Sequence, residues 1–137
     1  MIHDRERSAL LVAAREASGH AYCPYSKFAV GAAVLTDRGD IFAGCNVENA
    51  SFGLTICAER SAVFQAIAHR GESIRVRAIL VYTPTHVPTA PCGACRQVLN
   101  EFGPDAEVFS VCDGPDTIAT TLQALLPQAF GPHNLTA

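Results

Sequence analysis

The chain carries two short cysteine motifs, Cys57-Ala58-Glu59 and Pro91-Cys92-Gly93-Ala94-Cys95, and each opens a stretch that reads as a helix. A helix start presents free N–H groups and the positive end of the dipole, which lower a thiol's pKa and favour the thiolate. Cys95 falls about one turn after Cys92, so both sulfurs can face one point. Two such helices packed on the same face of a sheet let the sulfur of Cys57 converge with them. Three protein ligands, with water in the open fourth position, are the set a catalytic zinc uses. Pro91 fixes its own φ and helps set the entry into the second helix. Taken alone, the Cys-x-x-Cys pair fits a redox site, half of a metal site or buried apolar cysteines.

The remaining cysteines, Cys23, Cys45 and Cys112, bring the count to six. An even count suggests disulfides in small secreted chains with poor cores. This chain has 137 residues, 49% hydrophobic and 17% charged, which supports an ample core and excludes a disordered chain. The segment from Met1 to Arg7 is too charged and too mixed in sign for a secretory signal, so a cytoplasmic protein without disulfides is expected. Cys23, Cys45 and Cys112 then read as buried small hydrophobes. The formal charge of −3 offers no footprint for duplex nucleic acid or anionic lipid. No window approaches the roughly 20 apolar residues that span a bilayer. The length suits one domain over residues 1–137.

Residues 4–18 carry apolar positions at helical spacing, closed by Gly19. Residues 28–35 and 41–45 read as a β-hairpin around the turn at 36–40, and 46–55 as an irregular loop. A strongly apolar helix is expected over 57–68 and a strand buried on both faces over 76–82. A proline-rich loop leads to a helix over 93–102 and a second buried strand over 107–112. Ile118 and residues 122–126 suggest one last short element before a polar tail. Together these predict an α/β sandwich with a mixed sheet, in which the later strand–helix–strand unit is parallel.

Glu59, two residues after Cys57, is poorly placed to bind the same metal and well placed to reach a water on it. Cys-x-Glu followed by Pro-Cys-x-x-Cys is the three-cysteine form of the zinc-deaminase pattern. On these residues the chain resembles the small homotetrameric cytidine deaminases, over essentially its whole length. The resemblance also rests on Pro24-Tyr25-Ser26-Lys27-Phe28, Gly44-Cys45-Asn46-Val47-Glu48-Asn49-Ala50, Arg60 and Arg96-Gln97, with a weaker echo in the segment from Leu125 to Phe130.

The resemblance implies a three-layer α/β/α sandwich with a mixed, mostly five-stranded sheet. It implies one Zn²⁺ per subunit held by Cys57, Cys92 and Cys95, with Glu59 as the proton shuttle. Asn46 and Glu48 would hydrogen-bond the ribose 3′-hydroxyl, Phe28 would pack on the pyrimidine, and the Ala58 backbone would contact its edge. Phe130 would reach into a neighbouring subunit's site. The implied reaction is hydrolysis of free cytidine and 2′-deoxycytidine to uridine and 2′-deoxyuridine in pyrimidine salvage, with release of ammonia. Zinc brings the pKa of water toward about 7, and the hydroxide attacks C4. Glu59 takes the water proton, delivers one to N3 and protonates the departing amine. Three thiolates overcompensate a +2 ion, and Arg60 is expected to donate to ligand sulfurs and draw off that charge. Arg96 reads as a site residue or as a solvated helix residue.

Two other functions fit parts of the pattern. A deaminase of another aminated heterocycle, such as a nucleoside antibiotic, keeps the metal site, but Asn46 and Glu48 suit a ribose. A non-catalytic zinc or redox module has no use for Glu59; a structural zinc would also need a fourth ligand, for which Cys45, Cys112 and His86 are candidates. Single-stranded nucleic acid is disfavoured because the chain is acidic and has no aromatic-basic surface. One departure from the family stands at Phe52, where many relatives carry Tyr: the hydroxyl is gone, with any polar contact it makes.

Overall fold

The computed structural model describes residues 1–136. Five strands, β1 (Gly31–Thr36), β2 (Ile41–Cys45), β3 (Val76–Tyr82), β4 (Glu107–Val111) and β5 (Ile118–Thr121), lie in the order β2-β1-β3-β4-β5. The helices are α1 (Asp4–Ser18), α2 (Ala58–Arg70), α3 (Gly93–Phe102) and the single turn α4 (Leu122–Leu125). β1 pairs antiparallel with both β2 and β3, and β5 antiparallel with β4. β3 and β4 run parallel across α3, as the alternation of strand and helix predicts.

The pleat sends alternate residues to opposite faces, and both faces of β1 and β3 are apolar. On one face Ala33, Leu35, Ala78 and Leu80 pack against Leu10 and Ala14 of α1. On the other, Ala32, Val34, Ile79 and Val81 meet Ala58, Ala62, Val63 and Ala66 of α2 and Leu99 of α3. The result is the three-layer α/β/α sandwich with a mixed five-stranded sheet. Both cysteine-bearing helices lie on the same face. A glycine permits the closeness of α2: a Cβ on Gly44 of β2 would stand 2.5 Å from the backbone nitrogen of Ala62.

The structure corrects the expected boundaries in several places. β1 begins at Gly31 rather than Phe28, because side chains hold the preceding backbone. The Val30 N–H donates to Asn46 Oδ1 at 2.9 Å, and Asn46 Nδ2 donates to the Phe28 carbonyl at 2.8 Å. Helix α2 runs on to Arg70, where Gly71 at φ 83° ends it. The last short element is two: β5 completes the sheet edge, and α4 turns Leu122 into the core. A 3₁₀ turn at Phe52–Leu54 interrupts the loop expected over 46–55, and another, Pro132–Asn134, lies in the expected polar tail.

All six cysteines are free thiols. Cys112 is buried as expected, but Cys23 and Cys45 are only half-buried; Cys45 ends the sheet's edge strand β2. No helix among the described residues is long and apolar enough to cross a membrane.

Candidate metal centre and substrate pocket

Cys57 and Cys92 are the N-cap residues of α2 and α3, each in extended backbone, and Cys95 sits in the first turn of α3. The sulfurs of Cys57 and Cys92 are 4.0 Å apart, and all three sulfurs lie within 4.8 Å of one another. Tetrahedral corners at the usual Zn–S distance of about 2.3 Å are about 3.8 Å apart, so a small contraction closes the three sulfurs around an ion. Among the described residues no other His, Cys, Asp or Glu joins the cluster, and Cys45, Cys112 and His86 are not part of it. The donor set therefore fits zinc with its fourth position open.

The sulfurs share charge unequally. A hydrogen bond from the Cys95 side chain brings the Cys57 thiol down to about 5, and Arg60 adds to this against the opposing effect of burial. The same contact pushes the Cys95 thiol up. Arg60 Nη2 donates to Cys57 Sγ at 3.3 Å, while its Nε is buried with no partner. The Arg60 guanidinium thus stands beside the Cys57 sulfur, where the sequence predicts a cation to offset three thiolates.

Glu59 is 5% exposed, and burial pushes its carboxyl up to about 7. It lines a cavity of about 190 Å³ together with Cys57, Ala58 and Cys92 and with Phe28, Asn46 and Glu48. Four elements thus bring the expected residues together: the segment before β1, the segment after β2, and the starts of α2 and α3. Val81, Thr89 and Ala90 complete the walls. No motif marks these three; they arrive because β3 and the loop ahead of Pro91 lead to the same end of the sheet. The cavity continues into a hollow of about 280 Å³ lined by Tyr25 and Phe52, and the two share Ser26, Glu48 and Thr55. Phe52 is 73% exposed and meets the Tyr25 ring edge-on, with centroids 5.6 Å apart.

Arg96 is not a solvated helix residue. Its Nε donates to the Pro91 carbonyl at 2.7 Å and its Nη1 to the Leu125 carbonyl at 2.9 Å, clamping the loop before Cys92 to the end of α4. Phe130 stays outside this chain's own cavity. Gln97 Nε2 donates to its carbonyl at 2.7 Å, and Phe130 is 59% exposed.

The family model described as the cytidine and deoxycytidylate deaminase zinc-binding region matches residues 4–111. The chain belongs to the cytidine deaminase family. The matched residues include Cys57, Glu59, Cys92 and Cys95 and stop short of Phe130. A cytidine deaminase of Sporosarcina psychrophila is 42% identical over 127 residues, 92% of each chain. A probable cytidine deaminase of Dictyostelium discoideum is 43% identical over 99% of this chain and 91% of its own. The crystal structure of the cytidine deaminase from Burkholderia pseudomallei superposes with a TM-score of 0.83 at 49% identity, covering 95% of this chain and all of that one. Zinc is the cofactor of this cytidine deaminase family member, and the three-sulfur cluster is the site that fits it.

Proposed function

We propose that this protein deaminates free cytidine and 2′-deoxycytidine hydrolytically, forming uridine or 2′-deoxyuridine and ammonia. The observation that carries the reading is the buried carboxyl of Glu59 in one cavity with Cys57 and Cys92, whose sulfurs cluster with that of Cys95 as a set of three donors.

Cys57, Cys92 and Cys95 hold zinc. When bound, zinc supplies a Lewis acid that makes water nucleophilic at neutral pH. Glu59 carries the protons: it takes one from the attacking water and gives it to N3 of the pyrimidine, then takes the second from the C4 hydroxyl of the adduct and gives it to N4, so that the amine leaves as ammonia and C4 becomes a carbonyl. A carboxyl raised by burial to about 7 can alternate between base and acid near neutral pH. Arg60 offsets the charge of the sulfurs. The Ala58 backbone meets the edge of the base, and the Phe28 ring packs on its face.

Hydrogen-bond capacity supports a sugar hydroxyl at Asn46 and Glu48. The Asn46 amide uses one acceptor site for Val30 N–H and one donor for the Phe28 carbonyl, which leaves one N–H available. Glu48 accepts from Tyr25 N, Ser26 N and Ser26 Oγ, leaving about one of its four acceptor sites. One remaining donor beside one remaining acceptor suits a single hydroxyl, and we assign these to the ribose 3′-hydroxyl. No basic side chain lines the cavity; this supports a nucleoside, rather than a nucleic acid strand, as the partner.

We read residues 1–137 as one domain, since both cores flank one sheet. Assembly into a homotetramer is supported by Phe130, whose ring projects outward from a fixed backbone, and by the exposed Leu54 and Phe64. Six free thiols suit the reducing cytoplasm. The test is direct: zinc-replete protein given cytidine should change the nucleoside's ultraviolet absorbance and release one equivalent of ammonia. Cytidine recovered unchanged would refute the reading.

A further inference from the structure

The spacing of the motifs does not single out Ser26, yet its hydroxyl joins the two halves of the substrate pocket. The Phe28 N–H donates to Ser26 Oγ at 3.0 Å, and that hydroxyl donates in turn to Glu48 Oε2 in a short hydrogen bond. The N–H groups of Tyr25 and Ser26 both donate to Glu48 Oε1, at 2.9 and 3.1 Å. Lys27, in the left-handed region at φ 59°, makes the turn that brings the Ser26 hydroxyl back onto Phe28. Asn46 Nδ2 holds the Phe28 carbonyl from the other side. Both polar backbone groups of Phe28 are therefore tied to the two residues assigned to the sugar, one directly and one through Ser26.

Each link has a consequence. The two backbone donors engage only Oε1, so the Ser26 hydroxyl is the group that fixes the direction of Oε2. Hydrogen bonds to an ionised acceptor are the stronger kind, and the Ser26 hydroxyl and backbone N–H hold the Glu48 carboxyl below the usual carboxylate range. Without the hydroxyl, Oε2 is free to turn toward solvent and the Phe28 N–H loses its acceptor.

We infer that Ser26 is a positioning residue that sets the enzyme's discrimination for the sugar hydroxyl, by aiming Glu48 and coupling it to the backbone under the base. The inference rests on the assignment of Asn46 and Glu48 to the ribose 3′-hydroxyl. Its signature is a change in preference between substrates with and without that hydroxyl, which a general loss of packing does not produce.

The experiment compares kcat/KM for cytidine and for 3′-deoxycytidine in the parent, Ser26→Ala and Ser26→Thr, each zinc-replete. Ser26 is exposed, so neither variant puts folding at risk. Ser26 acts on the sugar contact through Glu48 rather than directly, so the expected effect is that of an ordinary hydrogen bond, roughly three- to tenfold in affinity. Ser26→Ala should lower the cytidine to 3′-deoxycytidine ratio by that factor, mainly through the KM for cytidine, with zinc content unchanged. Ser26→Thr, which keeps the hydroxyl, should restore the ratio to within about twofold of the parent. A parent that discriminates while Ser26→Ala discriminates equally, or an equal loss on both substrates, overturns the role of Ser26 alone. A parent that deaminates cytidine and does not discriminate removes the sugar assignment and this inference together. A parent inactive on cytidine overturns the proposed function itself.

Discussion

Arg60 Nη2 stands 3.3 Å from Cys57 Sγ, on the first turn of the helix that Cys57 caps. One helix start thus brings together the Cys57 sulfur, the Glu59 carboxyl and the Arg60 cation, the three groups to which we assign metal binding, proton transfer and charge compensation, all within four residues. The backbone between them is helical or a cap, so helix geometry sets the spacing of their backbone positions. Such local rigidity is what a site that must hold its geometry to a fraction of an ångström needs.

The first prediction concerns this pair. In metal-free protein the Cys57 thiol should titrate near 5 when followed by alkylation. Arg60 favours the thiolate, so Arg60→Gln should raise that value. In the zinc-loaded protein the same change should keep the metal but lower the rate, and it should move the acid limb of the pH–rate profile to higher pH. A cation lost beside the metal makes each developing negative charge there less favourable. Identical alkylation and rate profiles in both proteins would assign the charge compensation to another group.

The second concerns packing. Gly44→Ala places a Cβ 2.5 Å from Ala62 N and 2.7 Å from the Ser61 side chain, so α2 must move off the sheet. Overpacking of this kind costs typically 1–3 kcal/mol. Thermal unfolding should show a Tm lower by several degrees, with activity falling as well because α2 carries Cys57 and Glu59. An unchanged Tm would contradict the close approach of β2 and α2.

The third concerns assembly. The Phe130 carbonyl is held by Gln97 Nε2 at 2.7 Å, so its exposed ring has a fixed origin from which to enter a neighbouring site. Light scattering should give the mass of four chains. Phe130→Ala should keep the fold and zinc but lower kcat/KM on cytidine at least tenfold. A fully active monomer would exclude the shared site.

The sheet and the metal site were largely legible in the sequence, for a physical reason. β1 and β3 are apolar on both faces, and Cys57, Glu59, Cys92 and Cys95 sit within two short motifs at helix starts, so each signal is local. What stayed hidden depends on contacts between distant segments. Phe28 looks like a strand residue because its neighbours are apolar, but its backbone bonds to the side chains of Ser26 and Asn46 rather than to a strand. The clamp from Arg96 to Leu125 crosses 29 residues, and the bond from Ser26 to Glu48 crosses 22. Neither distance leaves a periodic trace. Residues 118–125 run from β-branched Ile118, Thr120 and Thr121 into Leu122, Ala124 and Leu125 over too short a span for periodicity to separate β5 from α4.

The central claim is that Glu59 moves protons and the three cysteines alone hold the metal. Glu59→Gln tests it most directly, because it keeps the size and hydrogen-bonding shape of the side chain and removes its acid–base chemistry. Loss of one general acid–base group costs typically 10²–10⁴-fold, and here one group serves several steps. Zinc content should stay near one per chain while kcat on cytidine falls by about 10⁴ or more. Activity within tenfold of the parent, or loss of zinc along with activity, would contradict the account.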